Sequence, residues 1–274
     1  MTRAEGHRSP GGWRWLALAA TAALALACRA PERGGDGAPA LRVVVWNIHH
    51  GRGGDDVVDL ARVAAELRAL SPDVVLLQEV DVGVRRSGRV DTPAVLGEHL
   101  GMHAAFERNI RYQGGDYGNA VLSRYPIASR RNLRYDMLRE GEQRGLLIVR
   151  VDAPSGPLGI GCTHLDSRRD DAERLHNVPA VMALVEGGEL DLVGGDFNDE
   201  PGSAVHAALG RATTDCWVEA RPGRGDTYPA AAPEKRIDWL LRAQGGPWRA
   251  VHAEVAPTAA SDHRPVLFVL RRVR

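Results

Sequence analysis

Lysine is almost missing from this chain: Lys235 stands alone among 35 basic residues, and arginine supplies the rest. A charge excess is missing too, because the acidic residues also number 35 and the formal net charge at pH 7 is zero. A chain so balanced builds no strong field, which argues against an indiscriminate nucleic-acid binder with a basic face. Cysteine is scarce, at three residues in 274, too few for a disulfide scaffold. No internal repeat occurs, so a solenoid is excluded, and no apolar run is long enough to span a bilayer.

What is present begins with an export signature. Arg3, Arg8 and Arg14 precede the apolar run LALAATAALALA, and small residues lead up to Cys28, in the order of a secretory signal. A cysteine directly after Ala25-Leu26-Ala27 resembles the bacterial lipoprotein cleavage site, where that cysteine is lipidated. Ala25 departs from the leucine preferred there, and A-x-A also suits ordinary signal peptidase, so free secretion is the alternative. The expected organisation is a signal peptide over 1–27, a Pro- and Gly-rich tether over 28–40 and a folded domain over 41–274. Removing three Arg and one Glu with the signal leaves 32 basic and 34 acidic residues, so the mature protein stays near neutral. Cys162 and Cys216 could pair after export or remain buried thiols.

From residue 41 the pattern alternates strands and helices. LRVVVWN predicts a buried strand ending at Asn47, VVDLARVAAELRAL a helix, and PDVVLLQEV a strand ending at Glu79. Residues 81–118 read as loop-rich, with RRSGRVD as a solvated basic cluster and Tyr112 and Tyr117 as structural residues or cleft lining. Further strands are expected at GNAVLS, GLLIVRVD, LGIGCTHLD, LDLVGGDFND, KRIDWLL and HRPVLFVLRR. A helix over RDDAERLHNVPAVMALVEG is expected to kink or break at Pro179.

The stretch LVGGDFNDEP raises the functional question. Asp-x-Asn after paired glycines is ordinary turn chemistry when taken alone. Yet Asn47, Glu79, His164, Asp196, Asn198 and the Asp262-His263 pair all lie where an apolar strand begins or ends, so one sheet rim could gather them. Six such coincidences outweigh the bland reading of any one.

These residues also fall in a known order. WN at 46–47, QE at 78–79, YGNAVLS at 117–123, THLD at 163–166, GGDFN at 194–198, RIDW at 236–239 and SDHRPV at 261–266 resemble the motifs of the endonuclease/exonuclease/phosphatase family, the DNase I-like hydrolases. The resemblance implies a four-layer α/β sandwich, two mixed sheets face to face with helices outside. It also implies a divalent cation, Mg²⁺ or Mn²⁺, that helps water cleave a phosphoester. Carried over by position, Asn47 and Glu79 belong to the metal site, with Glu79 the direct ligand and Asp262 assisting. Asp196 and Asn198 orient or deprotonate the attacking water. His263, held by Asp238, faces the phosphate, and His164 donates to a phosphate oxygen or protonates the leaving group. Arg144 matches a phosphate-binding cation.

Phosphoryl transfer needs these residue types: charge stabilisation on non-bridging oxygens, an in-line water, and groups that titrate near neutrality. His49 and His50 are left aside, because adjacent side chains on a loop rarely share one site. The expected protein is an exported, membrane-anchored phosphoesterase, monomeric, acting on a small or lipid head-group substrate. A secreted Mg²⁺-dependent endonuclease is the alternative enzyme, and a non-catalytic binding protein on the same fold is the alternative of another class. Cys28→Ala is expected to move the protein from the membrane fraction to the soluble fraction; persistence with membranes would exclude an anchor at Cys28.

Overall fold

The computed structural model describes residues 40–221 and 223–273; the expected signal segment, Cys28 and the tether as far as residue 39 lie outside them. Leu41–Asn47 forms β1 and Val74–Val82 forms β2, paired in parallel with Asn47 opposite Gln78. A parallel pair needs a crossover, and Leu60–Leu70, α1, supplies it, its N-terminus capped by the Asp59 side chain accepting from the Arg62 N–H. β1 is apolar without alternation because both of its faces are covered. Val43 and Val45 enter one apolar cluster, while Val44 and Trp46 enter another.

Twelve strands form two six-stranded sheets. The first runs Trp248–Val255 (β11), Val266–Arg272 (β12), β1, β2, Gly115–Ser123 (β4) and His103–Tyr112 (β3). The second runs Ile127–Arg134 (β5), Gly145–Ala153 (β6), Gly156–His164 (β7), Leu192–Asp196 (β8), Asp238–Ala243 (β10) and Thr213–Asp215 (β9). Three apolar zones separate four layers, as expected for the sandwich. Leu76, Val121, Ile160 and Phe268 fill the space between the sheets. Val63 and Leu67 of α1 and Leu96 of Thr92–Leu100, α2, cover the outer face of the first sheet. Val178 and Val181 of Ala172–Glu186, α3, and Val205 of Ala204–Leu209, α4, cover the second.

The differences from the sequence reading follow one rule. All eight interior strands were expected, whereas β3, β5, β9 and β11, which are the four sheet edges, were not. β3, β5 and β11 are partly exposed and β9 has only three residues, so β5, for example, reads IASRRNLR, a polar string without the buried signature. The segment read as loop-rich over 81–118 contains α2 and β3 for the same reason: both are short or half-exposed. Pro179 neither ends nor splits α3, which runs through it. Cys162 and Cys216 are both buried free thiols.

Register decides where the polar ends meet. β7 and β8 are parallel with His164 opposite Asp196, and antiparallel β10 sets Asp238 opposite the same Asp196. Three functional candidates therefore stand side by side on adjacent strands. Gly195 makes this packing feasible: its φ is +149°, and a Cβ there would fall 1.8 Å from the Thr163 carbonyl oxygen. Gly195→Ala is expected to cost ~2 kcal/mol or more of folding stability, measured by urea unfolding of the variant beside the parent. An unchanged midpoint would show that the strands separate without penalty.

Candidate active site

Asp196 is the centre of the site, 1% exposed at the end of β8. Phe197 anchors the chain that follows by stacking on Trp239, with ring centroids 4.6 Å apart. The Asn198 N–H then turns back to Asp196 Oδ1 at 2.9 Å, and Asn198 takes the left-handed conformation at φ +49°. Around Asp196 Oδ2 lie Asn47 Nδ2 at 3.0 Å, His164 Nε2 at 3.4 Å and His263 Nε2 at 3.6 Å. Burial pushes the Asp196 carboxyl up to about 6, against the pull of His263 and with the help of the Asp238 charge.

The two imidazoles are held by opposite kinds of partner. His263 Nδ1 lies 2.9 Å from Asp238 Oδ2, and the Thr227 hydroxyl donates to that same oxygen. The backbone of His263 is pinned by Trp46 Nε1, which donates to its carbonyl at 2.9 Å. Burial would lower the pKa of His263, but the Asp238 and Asp196 carboxylates outweigh it and hold the ring up at about 10. His164 Nδ1 lies 3.0 Å from the Arg144 guanidinium, which can only donate, so Nδ1 accepts and the proton sits on Nε2. Burial first, then Arg144 and His263, drive its pKa well below the ordinary value. Arg144, itself buried, is paired with Glu142 at 2.7 Å.

Glu79 occupies a bulge. The β2–β4 register shifts between Leu77 and Val80, and Glu79 sits there at φ +57°. Its carboxylate accepts from Asn47 Nδ2 at 3.1 Å, while the Asn47 amide oxygen accepts from the His49 N–H at 3.0 Å. Asn47, placed by resemblance in the metal site, thus presents its amide nitrogen to Glu79 and Asp196 and bridges the two carboxylates. Asp262 lies 3.6 Å from His49 Nδ1, on the more exposed side.

Among the described residues, two groups of side chains bring potential ligand atoms within 4.8 Å of one another: His49, His50 and Glu79, and Asp196, Asp238 and His263. The second group is buried throughout, and its Asp238–His263 hydrogen bond already commits two of its members to each other. The first includes the buried His50, whose Nδ1 has no hydrogen-bond partner, and its members are not already bonded to one another as Asp238 and His263 are, so it fits a cation better. Burial, followed by Arg86, His49 and Arg52, lowers the pKa of His50 to about 3, leaving a neutral ring able to act as ligand. Sequence reasoning set this pair aside. The two residues converge because both take left-handed backbone, at φ +45° and +49°, with ring centroids 4.6 Å apart.

The site opens into a cleft of about 760 Å³. Arg86, read as part of a solvated basic loop, instead bonds Asp81 at 2.9 Å and lies over the rings of Tyr112 and Tyr117, at 4.7 and 5.2 Å from their centroids. Arg168, Arg169 and Lys235 line the same cleft. Asp199, which follows Asn198 at the cleft wall, pairs with Arg174 of α3 at 3.0 Å.

Comparison with known proteins places this geometry in context. The chain is 32% identical over 252 residues to the uncharacterized protein YbhP of Escherichia coli (strain K12), covering 83% of this chain and 94% of that one. An endonuclease/exonuclease/phosphatase from Beutenbergia cavernae superposes with a TM-score of 0.69 at 26% identity, over 86% of this chain and 72% of the other. A mannosyl-6-phosphatase of Bacteroides thetaiotaomicron shares the fold at 16% identity and a TM-score of 0.69, over 84% of this chain and 99% of that one. The human Nocturnin catalytic domain, solved with a bound sulfate anion, does so at 18% identity and 0.65, over 86% and 94%. The sequence model of the Endonuclease/Exonuclease/phosphatase family matches residues 44–263, and with the sandwich and the ordered motifs this establishes that the chain belongs to that family of phosphoester hydrolases.

Proposed function

We propose that the chain is an exported, lipid-anchored phosphoesterase, dependent on Mg²⁺ or Mn²⁺, that hydrolyses a small or lipid head-group phosphoester. The observation that carries the reading is Asp196, buried between two imidazoles, one bonded to the Asp238 carboxylate and the other to the Arg144 guanidinium. Paired titratable groups pushed apart in this way mark a division of labour. With a pKa of about 6, Asp196 is ionised at neutral pH yet basic enough to orient the attacking water and accept its proton. His263, protonated below about 10, sets a positive charge against the non-bridging oxygens. His164 is neutral and brings an Nε2–H donor, which favours hydrogen bonding to a phosphate oxygen over proton supply.

Glu79, with His49, His50 and Asp262 beside it, would hold the cation, whose part when bound is to neutralise charge on the phosphoryl oxygens. Arg144 supports the site by fixing the tautomer of His164 and lies at the cleft wall, where an anionic group is accommodated. A cleft of about 760 Å³ suits a small molecule or head group, and the near-neutral charge of the mature chain argues against an indiscriminate nucleic-acid binder. The name of the mannosyl-6-phosphatase neighbour supports a small substrate in the same way.

Glu79→Gln and His263→Ala are each expected to lower kcat/KM at least ~10²-fold. The assay is hydrolysis of bis-p-nitrophenyl phosphate, sphingomyelin, inositol phosphates and plasmid DNA with Mg²⁺, Mn²⁺ or EDTA. Plasmid DNA as the best substrate would select the endonuclease, and cleavage of nothing would select a binding protein. In ¹⁵N-histidine-labelled protein stripped of divalent ions, His263 is expected to be doubly protonated at pH 7.5 and His164 neutral with its proton on Nε2. Imidazole nitrogen shifts read both states, and the reverse pattern would refute the division of labour.

A further inference from the structure

The loop after β1 carries an arrangement of donor atoms that bears on which ion the site would take. One oxygen of Glu79 and one nitrogen from each of His49 and His50 lie within 4.8 Å of one another, close enough to bind a single ion. His50 is 4% exposed, and its Nδ1 has no partner. A polar nitrogen left in this state costs free energy unless something binds it. The chain also holds His49, His50 and Glu79 in left-handed backbone that non-glycine residues seldom adopt. A network of main-chain bonds maintains the turn: the Gly51 N–H donates to the Ile48 carbonyl at 2.7 Å, and the Asp59 N–H to the Gly51 carbonyl at 2.9 Å. Asn47 links the loop to the reaction centre, because its oxygen holds the His49 N–H while its nitrogen holds Glu79 and Asp196.

We propose that His49 and His50 join Glu79 as cation ligands, forming a two-nitrogen, one-carboxylate site that selects transition-metal ions such as Mn²⁺, Co²⁺ or Zn²⁺ over Mg²⁺. Mg²⁺ demands oxygen donors and keeps its waters, so two imidazoles add little for it. First-row transition ions gain from imidazole nitrogen, with affinity rising from Mn²⁺ through Co²⁺. The ion so held stands one asparagine away from Asp196. The inference rests on the metal-dependent reading and adds to it the identity of the donors and therefore of the metal class.

The test is a Co²⁺ titration of the EDTA-stripped full chain, followed by visible absorption and calorimetry, beside a Mg²⁺ titration. His49→Ala and His50→Ala are each expected to weaken Co²⁺ binding ~10-fold or more and to change the absorption bands. Mg²⁺ binding is expected to change far less, and Glu79→Gln to weaken both ions. Circular dichroism of the metal-free variants checks folding. If His50→Ala fails to fold, His49→Ala carries the test, since that ring is more exposed. Co²⁺ affinity and bands unchanged in the folded histidine variants would overturn the inference while leaving metal-dependent hydrolysis intact. A parent chain that binds no divalent ion would overturn both, whereas histidine-dependent Co²⁺ binding without hydrolysis of any phosphoester would sustain the inference and remove the phosphoesterase reading.

Discussion

The structure depends on the register between β7, β8 and β10. Because β8 lies between a parallel and an antiparallel neighbour, the end of β7 and the start of β10 arrive at the same rim as Asp196. A slip of one residue in either pair would turn a functional side chain to the opposite face of the sheet. Gly195 secures the spacing, since its backbone lies so close to Thr163 that no side chain can be inserted there. The paired glycines before Asp196 are therefore a packing requirement of the same strand that carries the chemistry.

That rim creates an electrostatic problem which the surrounding residues resolve. Asp196 and Asp238 are both buried, so two negative charges stand in a poorly solvated place. His263 sits between them with its pKa raised by both carboxylates, and Thr227 and Asn47 add hydrogen bonds to the carboxylates. Arg144 lies on the other side, behind His164, where burial first and then the guanidinium charge lower the pKa of that ring. The imidazole beside the carboxylates has its pKa raised and the imidazole beside the guanidinium has its pKa lowered. The two rings owe this difference to their neighbours, since both are deeply buried.

The second sheet supplies Asp196, Asp238 and His164, whereas the first supplies Asn47, the turn that carries His263 into β12, and the candidate cation ligands. Asn47 is the physical link, since its single amide touches Glu79 of one sheet and Asp196 of the other. Face-to-face packing of the sheets through Leu76, Ile160 and their neighbours sets this distance, so the inter-sheet core acts as the spacer of the site. Trp46 contributes from the opposite face of β1 by fixing the His263 backbone.

The sequence by itself determined the eight interior strands, because burial on both faces demands continuous apolar runs, and it determined the polar residues at their ends through the ordered motifs from Trp46-Asn47 to Asp262-His263. It also carried the family and the four-layer sandwich. The four edge strands were not legible, since a half-exposed strand such as IASRRNLR needs no apolar pattern to be held by its neighbour. Only the tertiary structure decided that Arg86 turns into the cleft, that Arg144 lies against His164 Nδ1, and that His49 and His50 converge beside Glu79. These outcomes depend on backbone torsion and on contacts between residues distant in the chain, such as a left-handed turn after Asn47 and two tyrosine rings beneath one guanidinium. Residue order alone does not encode such contacts locally, because each exists only when both sheets are in place.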